Sequence, residues 1–303
     1  MWQQAFSIQG HKPRIVFSTI EGNITVRTWE KKEIMVEAAE PIQGLRFEAD
    51  TLFVSHYRSD VTAWVPRIKG LLFNYTNTQV TVERSTGTVS IERTGSVDIR
   101  NHTGRGFLDR IEGSVHLFQI SDGVESTSIG GSLEAFELPS LRVLGSVGGS
   151  TTTRQCGQVA LENIGGSLTA TGIGDMLSCE NIGGSIHIQD SPRAVINTPR
   201  AGGSATIEQV GTIRSVHVGG SLTLAGNITN EGPTSFFAGG SITYLLPANP
   251  HMTIQAHCGG NIRGSAVAQS RNNAATLIYG EGSSMLTLHA GGSITIHGNQ
   301  VNR

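Results

Sequence analysis

Charge is scarce in this chain. Only 15% of its 303 residues are charged, and 22 Lys and Arg against 24 Asp and Glu leave a formal net charge of −2. That balance exerts no long-range pull on nucleic acid or anionic lipid. Cysteine is nearly absent. Cys156, Cys179 and Cys258 are odd in number, widely spaced and without a Cys-x-x-Cys pair, which argues against both a disulfide framework and a zinc site. No apolar run approaches the ~20 residues that span a bilayer. The opening Met1-Trp2-Gln3-Gln4-Ala5-Phe6-Ser7 lacks the basic start and apolar core of a signal peptide. Free thiols and no visible signal read as a cytoplasmic protein, with the cell envelope as the alternative. A sustained 3.6-residue apolar period is also missing, so little or no helix is expected.

What the chain has is glycine, 39 residues of it, roughly twice the usual share. Much of it sits in one recurring phrase, apolar–(any)–Gly–Ser–apolar–polar–apolar, often with Gly-Gly before the Ser. Its copies are anchored at Ser96, Ser114, Ser132, Ser150, Ser167, Ser185, Ser204, Ser221, Ser241, Asn261 and Ser293. The steps are 18, 18, 18, 17, 18, 19, 17, 20, 20 and 32 residues. A steady period below 20 marks a solenoid, whose coils bury their apolar faces only by stacking.

Side chains alternate faces along a strand, so the phrase sorts its positions. One and three residues after the Ser come apolar residues such as Val97 and Ile99, Leu168 and Ala170, or Ile242 and Tyr244; these face inward. Between them stand polar residues that face outward, among them Asp98, His116, Glu134, Thr152, His187 and Arg263. A second strand leads into each corner, as in Ile254–Ala256–Cys258, which places Cys258 as a small core residue. The glycines suit a corner because they adopt positive φ and let neighbouring backbones approach.

Residues 14–40 read as a hairpin of alternating strands, and 45–66 repeat the style up to Pro66. The division is therefore 1–79, an N-terminal β section starting the stack, and 80–303, the Gly-Gly-Ser solenoid. The 32-residue step after Asn261 reads as a degenerate coil over 262–292, with an inserted loop as the alternative.

Little chemistry is visible. No two of the seven aspartates share a register in adjacent coils. Asp98 and Glu134 stand two coils apart with His116 between them, roughly 10 Å at ~4.8 Å per coil, which is too far for a retaining glycosidase pair and marginal for an inverting one. His217, His257 and His289 each lie four residues before a corner and share an outward face, but not in consecutive coils, which argues against one shared metal. No catalytic residue, metal ligand or cofactor site is assigned.

The subtler pattern is a threonine array. Thr169, Thr206, Thr223, Thr243 and Thr295 would stack their hydroxyls on one flat face, interrupted by His187 and Arg263. Such arrays order water or mediate packing between molecules, although threonine is also simply at home on exposed strands.

With the repeat in hand, the chain resembles the bacterial Toastrack family of adhesin-like β-helices. The resemblance rests on Glu21-Gly22-Asn23-Ile24-Thr25-Val26-Arg27-Thr28-Trp29, on Val61-Thr62-Ala63-Trp64-Val65-Pro66, and on the paired Thr86-Gly87-Thr88-Val89-Ser90-Ile91 and Thr94-Gly95-Ser96-Val97-Asp98-Ile99. It implies a single-stranded, right-handed β-helix without catalytic residues, in a family often tied to the cell envelope.

The expectation is thus an all-β, single-stranded parallel β-solenoid with about 18 residues per coil. It would act as a non-enzymatic scaffold or protein-interaction module, touching a partner or a second copy through an open edge or the flat face. A carbohydrate-binding or carbohydrate-active β-helix is the alternative. Only seven residues follow the last coil, so its edge is expected to be covered by another subunit, end to end.

Overall fold

The computed structural model describes residues 1–8, 12–226, 228, 234–264, 273–282 and 284–298, and among these all regular structure is β, with no helix. It follows that no described helix is long and apolar enough to cross a membrane. Two compact units result, Met1–Gly149 and Ser150–Arg303, built on one plan. Each coil gives one strand to a rear sheet, turns at the Gly-Ser corner, and gives the next strand to a front sheet. Successive coils pair in parallel and in register, as in Val97↔Val115 in the first unit and Leu168↔Ile186 in the second. The fold is the expected parallel β-solenoid.

Between the sheets lies an aliphatic core. The positions one and three after the corner Ser are buried throughout, from Val97 and Ile99 to Ile294 and Ile296. Aromatics enter sparingly: Phe17 stacks on Phe73 at 5.0 Å in the first unit. In the second, buried Tyr244 donates its hydroxyl to Gly226 O at 3.3 Å.

The corner serine has a specific duty. Its hydroxyl accepts the backbone N–H of the next corner, which lies beyond the strand ladder and would otherwise be orphaned. Ser114 N donates to Ser96 Oγ at 3.3 Å, and Ser132 N to Ser114 Oγ at 3.1 Å. In the second unit the same bond links Ser167 to Ser150, Ser185 to Ser167, Ser204 to Ser185, and Ser221 to Ser204, at 3.0–3.3 Å. The corner glycines serve close approach alone. None has a φ in the left-handed range, contrary to the sequence-based expectation. Positive φ recurs instead at the other bend, five residues after eight of the ten corner serines: Asn101, Gln119 and Glu137 in one unit, then Gln155, Gly172, Asp190, Gln209 and Gly226 in the other.

Most coils stack in chain order, but one coil in each unit does not. In the first unit, Arg14–Ile20 and Ile24–Thr28 are no hairpin; they lie in opposite sheets and make one coil. That coil is sandwiched. Thr51–Tyr57 and Val61–Val65 pair on one side of it, Gly70–Thr76 and Gln79–Glu83 on the other. The corner bonds trace the same order, since Asn23 N donates to Asp60 Oδ1 at 2.8 Å and Gln79 N to Asn23 Oδ1 at 3.3 Å. Antiparallel strands finish this margin: Glu33–Ala38 on Val61–Val65, Trp2–Ser7 on Glu33–Ala38, and Arg46–Glu48 on Thr51–Tyr57.

The second unit repeats the device. The last coil, Ser284–Ala290 and Ile294–His297, lies between Thr234–Ala238/Ile242–Leu245 and Met252–Cys258/Ile262–Gly264. Ser293 N donates to Ser241 Oγ and Asn261 N to Ser293 Oγ, both at 3.1 Å. Residues 262–292 are therefore not one degenerate coil. They hold the end of the outermost coil, an antiparallel strand Ala274–Tyr279 on Met252–Cys258, and the rear strand of the inserted coil. Residues 265–272 of that step, with Arg271 and Asn272, lie outside the described residues. The last strand is not an edge, so the premise for end-to-end covering falls. Residues 299–303 of the short cap are likewise outside the described set.

Candidate functional site

The threonine face forms, and in a better order than the chain suggests. In the front sheet of the second unit the outward row runs Thr152, Thr169, His187, Thr206, Thr223, Thr243, Thr295, Arg263, each in register with the next. Insertion of the last coil sets Thr295 directly on Thr243 and moves Arg263 to the end of the row. Four threonines are thus consecutive, over roughly 14 Å at the usual strand spacing. All four are half-buried. His187 still separates Thr169 from them and bonds Gln189 Oε1 at 3.1 Å.

Asp98, His116 and Glu134 also meet, in adjacent front strands of the first unit. His116 Nδ1 is 3.3 Å from Asp98 Oδ1, and its Nε2 is 3.7 Å from Glu134 Oε2. Arg100 Nε donates to Asp98 at 2.8 Å, and that bond holds the Arg100 guanidinium above its ordinary value. Each carboxylate already has a cation or imidazole partner, and 54% of the Glu134 side chain is exposed. This is an ion-pair ladder on an open strand face.

A cleft in the first unit has a different character. It has a volume of about 780 Å³, and among the described residues it is lined by Lys12, Lys31, Lys32, Arg67 and Arg84 against a single acid, Glu30. Ile8, Pro13, Trp29 and Pro66 supply apolar lining. Trp29 is fixed by its Nε1–H, which donates to Glu33 O at 2.8 Å, and by Trp64, whose ring lies 6.0 Å away. Lys31 Nζ rests 4.6 Å from the Trp29 ring centroid. Composition did not reveal this site, because the net charge of −2 averages away a local surplus of cations.

Buried titratable groups elsewhere have structural duties. His102 bonds Ser85 Oγ through Nδ1 at 2.7 Å, and burial lowers its pKa, keeping the ring neutral. Burial pushes the Cys179 thiol up to about 12, which makes it an inert core residue. Cys258, read as a core residue, is only partly buried.

No protein-family model and no curated protein matches the chain. Two solved structures are similar to it over nearly their whole lengths. One is called a "putative cell adhesion protein" from Clostridium sporogenes, 10% identical over 98% of this chain and 99% of its own, with a TM-score of 0.20. The other is called a "putative adhesin" from Bacteroides fragilis, 14% identical over 98% and 96%, with a TM-score of 0.28.

Proposed function

We propose that the chain is a non-enzymatic binding and scaffold solenoid. Its flat front face in the second unit packs laterally against protein, and a second copy of the chain is the first partner to test. The observation that supports this reading is the uninterrupted row Thr206–Thr223–Thr243–Thr295. Half-buried hydroxyls at a strand-spaced repeat offer a level surface with no long side chains to immobilise, which keeps the entropic cost of contact low. Sedimentation velocity over a concentration series tests it. The wild-type chain is expected to self-associate, and Thr223→Glu with Thr243→Glu to abolish association while leaving the circular dichroism spectrum unchanged. A wild type that stays monomeric at the highest concentration, or a dimer indifferent to the double variant, would sink the reading.

A second reading, carbohydrate binding, is favoured by the cation-lined cleft at Trp29. Its charge suits an acidic glycan over a neutral one. Calorimetry should show an oligouronate binding where a neutral maltooligosaccharide does not, with Lys32→Glu and Arg67→Glu together removing the heat. Equal binding of both sugars, or of neither, would dismiss it.

A further inference from the structure

The rear sheet of the second unit carries a stack of four rings that the chain order conceals. His217 lies beside Phe237, Phe237 beside His289, and His289 beside His257, in register on neighbouring strands. Ring centroids are 4.4, 4.6 and 5.1 Å apart, with planes within 7°, 5° and 13°. The two histidines at its outer end are 32 residues apart in sequence. They become neighbours only because the last coil is inserted against the outermost one. For His257 and His289 this corrects the expectation that the histidines do not lie in neighbouring coils. Beyond His257 the next in-register residue is Ala274, a methyl group.

We propose that His257 and His289 form a two-imidazole site for a divalent late transition metal, Cu²⁺, Ni²⁺ or Zn²⁺, which clips the inserted coil to the outermost coil. Imidazole suits these ions, and Cu²⁺ should bind most tightly. Neither ring is hydrogen-bonded to a protein group among the described residues, so both keep ring nitrogens available. His257 is exposed and His289 half-buried, so water can complete the coordination. The rings lie nearly parallel, and their in-plane lone pairs converge only after each turns about its Cβ–Cγ bond. Binding therefore competes with the stack, and micromolar affinity is expected. His217 is separated from the pair by Phe237 and takes no part.

Calorimetric titration of the full chain with CuCl₂, and separately with ZnCl₂, tests the site. The expected result is one saturable equivalent, tighter for Cu²⁺, accompanied by slower amide exchange in Met252–Cys258 and Ser284–Ala290. His257→Phe and His289→Phe keep a flat ring in the stack but remove the ligand, and each should weaken binding more than about tenfold. His217→Phe should leave it unchanged. Absence of saturable binding, binding that survives both outer variants, or equal loss on changing His217 would overturn the assignment.

Discussion

An alanine at Gly203 should lower the stability of the second unit by about 3 kcal/mol. Its Cβ would stand 2.5 Å from Ser185 Oγ and 2.9 Å from the carbonyl carbon and oxygen of Gly184. Those atoms cannot retreat freely. Gly203 N donates to Gly184 O at 2.9 Å, and Ser204 N to Ser185 Oγ at 3.3 Å, so the added methyl must stretch two rungs of the corner ladder. Alanine at Gly172 makes the useful contrast. There φ is +67° and the nearest atoms are 3.5 Å away, so the cost is the left-handed backbone term alone, about 1 kcal/mol. Urea unfolding followed by circular dichroism should separate the two variants clearly. Equal losses would mean that the corner glycines are not there for close approach.

That contrast bears on what could be read without the structure. The inward columns and the outward row are legible because side chains alternate with a period of two residues, and the corners because one short phrase recurs at a nearly constant step. The order of the coils was not, because every corner phrase fits every other and a stack of interchangeable units hides a permutation. Asn261, which stands where the other corners of the second unit have serine, is also the corner on which, among the described residues, no further corner lies. That letter alone does not mark the outermost coil, because in the first unit Asp60 and Asn23 take over the serine's acceptor role, which a search for Gly-Ser alone passes over. The same permutation moves Arg263 out of the threonine row and sets His257 beside His289. The second bend was missed for another reason. Its left-handed residue is Asn, Asp, Gln or Glu in six of eight coils and Gly in two, and only the glycines announce such a backbone.

The inserted coil should behave as interior, not as a fraying end. Leu288, Ile294 and Ile296 are fully buried, and their strands have parallel neighbours on both sides. Leu288→Ala should therefore cost 2–5 kcal/mol, about what an interior leucine costs. Among the described residues, Ile262 lies on the outermost front strand, Ile262–Gly264, which is paired on one side only. Ile262→Ala should cost only about 1 kcal/mol, since a site at the margin relaxes around the lost volume. Hydrogen exchange gives the direct reading. Amides of Ile294–His297 should exchange about 100-fold more slowly than those of Ile262–Gly264, because releasing them requires opening the coils on both flanks. A solenoid stacked in chain order requires the opposite ranking, with the last residues exchanging first. If that ranking is found, the insertion fails, and with it both the continuous threonine row and the paired histidines. If residues 294–297 are the better protected, the end of the chain is the wedge that seats the outermost coil, and the faces proposed for binding depend on it.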